Sequence, residues 1–168
     1  MTIRVRGGVA KPPATQDWRV GDIFVVEQRD GVCSIGQVLD MMMKNVVSCA
    51  FFDIRVPCSG GAITTYDLRV GHLIAILAVT REQLDFGKWR VIGHQDVAVD
   101  RNLWPNEEFR ETKWVGASIH DASIAEELLA AYNGLVPWDD WHDPEYLDKL
   151  LTFPDRKPSR VIYKKRKN

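Results

Sequence analysis

The side chains that most often bind metals or catalyse reactions are few and scattered in this sequence. Its four histidines, His72, His94, His120 and His142, stand far apart, and no HxH, HExxH or CxxC pattern occurs. A metal site in a protein usually takes at least two of its ligands from such a short spacing. The sequence therefore predicts neither a metal site nor a cofactor.

The three cysteines allow two interpretations. Cys33 and Cys49 lie in apolar, strand-like runs, where a reduced cysteine packs as a small hydrophobic side chain. Cys58 lies in a Pro-Cys-Ser-Gly-Gly loop and is the one cysteine placed for exposure. It would act as a nucleophile only if a base such as His72 or His94 approached it in the fold. A loop cysteine without a role is the simpler interpretation, and reduced cysteines favour the cytoplasm.

One segment in the last third of the chain combines aromatic and acidic side chains. Residues 138–146, called here the acidic tryptophan segment, contain the candidate partner-binding residues Trp138, Asp139, Asp140, Trp141, Asp143 and Glu145. Buried tryptophans dominate the binding energy of many interfaces, and carboxylates speed the approach of a basic partner. The alternative is structural: both tryptophans cover the sheet as a lid, and Asp143 caps a helix. The two interpretations are compatible if one tryptophan packs inward and the other faces out.

A second acidic cluster follows Trp104-Pro105 and contains two further candidate residues, Glu107 and Glu108. It reads as a surface loop. The cluster would extend the acidic face only if the fold brought it close to the acidic tryptophan segment, which the sequence alone does not decide.

The chain ends on a basic run, residues 164–168, with more basic residues just upstream. Such a run is typical of a solvated terminus, and it also permits contact with nucleic acid. The net charge of the chain is -1, so no global field would steer it to nucleic acid or to a membrane.

A length of 168 residues fits one domain with a core of its own. We expect a flexible N-terminal arm over residues 1–17, a single β-rich domain over 18–163 and a basic tail over 164–168. The arm has no apolar stretch behind its basic residues and so does not read as a signal peptide. The longest apolar run, residues 73–79, is too short to span a bilayer. These features predict a cytoplasmic protein.

The first half of the chain reads as strands. Residues 22–28 and 32–39 form a hairpin around an Asp30-Gly31 turn, because this pair tolerates the positive φ of a tight turn. Apolar and β-branched residues predict further strands, which lie over residues 45–56, 73–80, 88–94 and 112–118.

The end of the chain changes character. Ser123 and Glu126 have the spacing of a capping box, and Gly134 marks the end of the helix that they begin. Asp143-Pro144 predicts the start of a second helix with leucines at helical spacing, and residues 161–163 a last strand. Together, these elements predict an α+β fold with a mostly antiparallel β-sheet or partly open barrel and two C-terminal helices.

With these residues in view, the chain resembles the immunity protein 26 family of bacterial polymorphic toxin systems. The similarity lies in Trp18-x-x-Gly21-Asp22-Ile23-Phe24, in the Asp30-Gly31 turn and in the returning strand Ile35-Gly36-Gln37-Val38-Leu39. Phe51-Phe52-Asp53-Ile54 and Trp89-Arg90-Val91-Ile92-Gly93 agree as well. The resemblance covers residues 18–94 well and the remainder loosely.

The resemblance implies a non-enzymatic, mostly β-structured inhibitor that neutralises a toxin by direct binding. Toxins linked with this family are commonly nucleases, notably of the HNH type, so the implied partner is a cognate nuclease toxin domain. An acidic face would then occupy the basic cleft that receives nucleic acid. Two rivals stay open: a nucleic-acid-binding β-barrel that uses the basic tail, and a small hydrolase or transferase that uses Cys58.

Overall fold

The computed structural model describes residues 15–58 and 68–164, which form one six-stranded sheet. The strands are β1 (Asp22–Glu27), β2 (Val32–Met43), β3 (Val46–Pro57), β4 (Leu73–Thr80), β5 (Arg90–His94) and β6 (Ile119–His120). The α-helices are α1 (Glu82–Asp85) and α2 (Ala122–Tyr132). Short 3-10 helices cover Val70–His72, Arg101–Leu103, Glu107–Phe109, Asp148–Leu150 and Pro154–Arg156.

The strand order is β5-β1-β2-β3-β4-β6, and all neighbours are antiparallel except β4 and β6. The predicted α+β class with a mostly antiparallel sheet is confirmed, and the sheet is open. The predicted hairpin is also confirmed: Gly31 has a φ of 76°, and the Asp30 carboxylate accepts from the Val32 N–H.

The two faces of the sheet carry separate cores. On one face the Trp89 ring stacks on Phe24 at 5.1 Å between ring centres, and Phe51 meets Trp89 edge-on at 5.6 Å. Helix α2 covers this face with Leu128 and Leu129, both fully buried. The opposite face is covered by the residues after β5, through buried Val99 and Trp104.

Gly36 of β2 is required by this packing. A Cβ atom at Gly36 would lie 2.4 Å from Cζ of Phe24, which is closer than two carbon atoms approach without displacement. The tip of the Phe24 ring can therefore approach the β2 backbone this closely only because position 36 has no side chain.

The start of α2 differs from the predicted capping box. Asp121 is the capping residue, and its carboxylate accepts from the Ser123 N–H at 2.9 Å. Glu126 instead accepts from the side chains of Gln83, Lys88 and Trp89. The helix end is as predicted, since Gly134 has a φ of 72° and the Leu135 N–H donates to the Ala130 carbonyl.

The predicted second C-terminal helix is wrong. The Asp143 carboxylate accepts from the Glu145 N–H, as at a helix start, but the chain continues in turns and in the short 3-10 helix at Asp148–Leu150. The physical reason is tertiary: the Thr152 N–H donates to the Ile74 carbonyl, so the chain is drawn to the edge of β4 instead of extending a helix.

Two further predicted strands are absent from the described residues. Residues 111–116 form turns, because Lys113, Trp114 and Gly116 all have positive φ, which a strand does not permit. Residues 161–163 form no strand: the Ile162 carbonyl accepts from the Trp138 N–H, and the Val161 N–H donates to the Pro158 carbonyl.

The prediction for Cys33 is also wrong. Cys33 and Cys58 form a disulfide that joins β2 to the residue just after β3, so neither sulfur is a thiol here. Cys49 is the free, fully buried cysteine that the sequence predicts, and burial raises the pKa of its thiol.

Residues 1–14 of the predicted arm and 165–168 of the basic tail lie outside the described residues. The described end of the arm is attached to the β5 side of the sheet. The Gln16 side chain donates to the Trp89 carbonyl at 2.9 Å and accepts from the Val91 N–H at 3.0 Å.

Candidate functional site

A cleft at the β4 edge of the sheet is lined by sequence neighbours of both acidic clusters, since Asn106 precedes Glu107 and Tyr146 follows Glu145. Its volume is about 520 Å³, within the range of about 300–1,000 Å³ typical of ligand sites. Its floor is formed by Ile76, Leu77 and Ala78 of β4. One wall is formed by residues 102–103, 105–106, 118 and 120, and the other by residues 146 and 149–152.

The first wall of the cleft is held in place by Gln37 of β2, which is fully buried. Its side-chain amide nitrogen lies within 3.2 Å of the carbonyl oxygens of Gly21, Gln95 and Asp96. Its oxygen accepts from the Ala98 N–H at 3.0 Å. The sheet thereby fixes the chain that leads to Asn102 and Leu103 of the cleft.

Asp22 and Gly21 complete this anchor. The buried Asp22 carboxylate lies 2.8 Å from Nδ1 of His94 and accepts from the Arg19 N–H at 2.9 Å. Gly21 has a φ of 94°, and a Cβ there would lie 2.6 Å from the Gln95 carbonyl oxygen. The residues that carry the sequence resemblance are thus framework that positions the wall.

The second wall of the cleft begins at Tyr146, the last residue of the acidic tryptophan segment. The first residue of that segment, Trp138, lies in the core with only 1 % of its surface exposed. Its indole N–H donates to Asp148 at 3.2 Å, and the Lys157 ammonium lies 5.3 Å from its ring centre. The predicted lid interpretation describes Trp138 correctly, and an anchor role would need the core to open.

Trp141 is half-buried and packs against Tyr146 with ring centres 4.8 Å apart. It also lines a second, smaller groove with Asp140, Val136 and Pro137. The acidic tryptophan segment therefore borders two hollows, the groove at Trp141 and the cleft at Tyr146.

The charges of this segment are largely paired within the chain. Asp139 accepts from the Lys164 N–H at 2.7 Å, and Asp140 pairs with the Lys164 ammonium at 2.9 Å. Asp143 pairs with Lys149 at 2.6 Å, and this hydrogen bond lowers the pKa of the Asp143 carboxyl. Glu145 is exposed, and its carboxylate has no hydrogen-bond or ion-pair partner among the described residues.

The second acidic cluster adjoins the first wall of the cleft, because Glu107 directly follows Asn106, which lines that wall. Glu107 pairs with Arg110 at 2.6 Å, and Arg110 also reaches Asp40 at 2.7 Å. The hydrogen bond from Arg110 lowers the pKa of the Glu107 carboxyl. Glu108 is exposed and, within residues 15–58 and 68–164, has no ion-pair partner. Two acidic clusters that are distant in sequence thus flank one cleft.

His120 was not singled out by the sequence for this cleft. Burial lowers the pKa of its imidazole, which is therefore neutral at pH 7, and Nδ1 lies 3.4 Å from the Tyr146 hydroxyl. No local pattern marks His120, because only the pairing of β6 with β4 brings it to the cleft.

The described residues contain no group of three or more His, Cys, Asp or Glu side chains placed to hold a metal ion. None of the helices that the structure describes is long and apolar enough to cross a membrane. Comparisons of the chain with family models, with curated proteins and with solved structures found no match.

Proposed function

We propose that this chain is an immunity protein that binds and neutralises a cognate bacterial toxin with nuclease activity. The observation that carries the proposal is the placement of both acidic clusters beside one cleft at the β4 edge. The resemblance of residues 18–94 to the immunity protein 26 family supports it, as does the framework role of the residues that carry the resemblance.

The charges suit such a partner. A nuclease presents a basic cleft to nucleic acid. Glu108 and Glu145 lie within two residues of Asn106 and Tyr146, which line the cleft, and their carboxylates form no ion pair among the described residues. Complementary charges of this kind raise the rate of association more than they raise the affinity. Half-buried Trp141 and Tyr146 supply the apolar contact area between the two hollows.

The test is co-expression with the toxin domain encoded by the neighbouring gene. We expect this chain to restore growth of cells that produce the toxin and to co-purify with it. Loss of both effects would refute the proposal.

Charge reversal at the cleft tests the mechanism. In the doubly substituted variant Glu108→Lys with Glu145→Lys, we expect the association rate at low salt to fall by about ten-fold, and less at high salt. The matched control is the doubly substituted variant Asp17→Lys with Glu27→Lys, which makes the same change in net charge at two exposed acidic residues on the β1 and β5 side of the sheet. Equal association rates for both variants would contradict a steering role for the cleft.

The proposal places the chain in the cytoplasm, where thiols keep most disulfides reduced. The fold must then persist without the bond between Cys33 and Cys58.

A further inference from the structure

The floor of the cleft contains an unpaired piece of strand edge. On the outer edge of β4 the Ile74 carbonyl accepts from the Thr152 N–H, and β6 pairs opposite Ala78 and Val79. Ile76 lies two residues before Ala78 in a regular stretch of strand, so its N–H and C=O face the same edge. Among residues 15–58 and 68–164, nothing hydrogen-bonds to them there.

The length of this gap is limited. Ile74 and Ala78 are four residues apart, which corresponds to about 13 Å along a strand. A segment of two or three extended residues fits between the contact at Thr152 and strand β6. A strand lies about 4.8 Å from its neighbour, and Ile76 lines the cleft, so the space beside it is open to such a segment.

The surroundings favour basic side chains at the ends of the segment. The acidic clusters adjoin the two walls of the cleft: Glu108 follows Asn106 by two residues, and Glu145 directly precedes Tyr146. Neither carboxylate forms an ion pair with another described residue. Within the cleft itself Lys149 is the charged lining residue and is paired with Asp143. The lining of the cleft is otherwise neutral or apolar, which suits a peptide backbone.

We propose that the cleft binds a short extended segment of the partner protein, flanked by basic residues, as an added strand beside Ile76. The proposal rests on the proposed function for the identity of the partner, but the chemistry of recognition is that of main-chain pairing. Edge pairing of this kind takes its affinity from backbone hydrogen bonds and its specificity from the flanking side chains.

A direct test uses capped pentapeptides and amide NMR of the whole chain. We expect acetyl-Lys-Val-Thr-Val-Lys-amide to shift the amide signals of Ile76, Ser118 and Thr152 and to slow hydrogen exchange at Ile76. The acidic counterpart with Glu at both ends should bind about ten-fold more weakly. A peptide N-methylated at its three central residues should not bind. If the basic peptide at about 10 mM causes no shift of the Ile76 amide signal, the proposal is overturned. A dissociation constant of this size corresponds to a binding free energy near -3 kcal/mol.

Filling the cleft gives a second test. Ser118→Trp places a large ring at the cleft from an exposed position, and Asn102→Trp does so from another exposed lining residue. We expect both variants to lose peptide binding, whereas Ser159→Trp, exposed and outside the cleft, should keep it. Circular dichroism identifies a variant that fails to fold, and the remaining variant then decides.

The two proposals fail separately. If the toxin domain binds but exchange at Ile76 and the affinity of Ser118→Trp are unchanged, the cleft is not the site and the proposed function stands. If the basic peptide binds at Ile76 and the toxin domain does not co-purify, the strand-edge site stands and the proposed function is refuted.

Discussion

Replacing Gln37 with methionine tests whether the β2 framework holds the wall of the cleft. Methionine has a similar volume and no hydrogen-bonding amide, so the change removes hydrogen bonds with little change in packing. The amide nitrogen of Gln37 faces three carbonyl oxygens but carries only two hydrogens, and its oxygen accepts one hydrogen bond from Ala98. Three hydrogen bonds are therefore at stake.

Each such bond contributes about 1 kcal/mol, so Gln37→Met should lower the free energy of unfolding by about 3 kcal/mol. For a chain of this size the melting temperature should fall by about 6–12 °C. The assay is urea denaturation, with amide exchange at Ala98 as a local readout, since its N–H loses its acceptor. Weaker binding of the basic pentapeptide should accompany the loss, because the same loop leads to Asn102 and Leu103.

The control is Gln95→Met. Gln95 lies in the same loop, but its side chain makes no hydrogen bond within the described residues, so its effect should stay within about 0.5 kcal/mol. A loss below about 1 kcal/mol for Gln37→Met, or equal losses in the two variants, would refute the account of Gln37 as the anchor of this loop.

Three further predictions concern the disulfide, the cleft histidine and the cap of α2. The disulfide between Cys33 and Cys58 spans 25 residues, so its reduction by dithiothreitol should lower the free energy of unfolding, measured by urea denaturation, by about 3.5 kcal/mol. If circular dichroism shows that the reduced chain is unfolded at 25 °C, action in the cytoplasm is contradicted. Because burial lowers the pKa of His120, the unfolded chain binds the proton more readily, so stability should fall as the pH drops below about 6.5. The urea midpoints at pH 7.5 and pH 5.5 should differ less in His120→Gln than in the unsubstituted chain. An equal difference in both proteins would argue against His120 as the cause. Asp121→Ala should lower the free energy of unfolding by about 1 kcal/mol in urea denaturation, and Ser123→Ala by clearly less. The reverse order would indicate that Ser123 caps the helix, as the predicted capping box requires.

The sequence predicts the β-sheet well because its signals are local. The Asp30-Gly31 pair and the apolar runs act within a few residues, and β4 was predicted with the bounds that the structure has. The second helix fails for the opposite reason, since the contact between Thr152 and Ile74 that replaces it joins residues far apart in sequence. The positive φ of Lys113 and Trp114 likewise has no signature in residue type.

The candidate site was predicted in part. The acidic clusters are visible as composition, but their position beside one cleft depends on β6, a two-residue strand without a local pattern. The sequence also does not predict the burial of Trp138 or the partners of the aspartates. A tryptophan between acidic residues gives the same sequence pattern whether its side chain is exposed or buried. His120 and the edge at Ile76 follow only from strand pairing.

The pairing of the acidic residues changes what the acidic tryptophan segment can contribute to binding. Asp140 and Asp143 already hold Lys164 and Lys149, and a basic partner must displace these ammonium groups before it gains a contact. Since exposed ion pairs contribute little either way, the exchange is nearly neutral and cannot provide much affinity. Affinity must then come mainly from the backbone of Ile76, which has no partner among the described residues, whereas Glu108 and Glu145 act on the rate of association. This reasoning moves the centre of the proposed interface from Asp139 and Asp140, which the sequence nominates, to the open edge of β4.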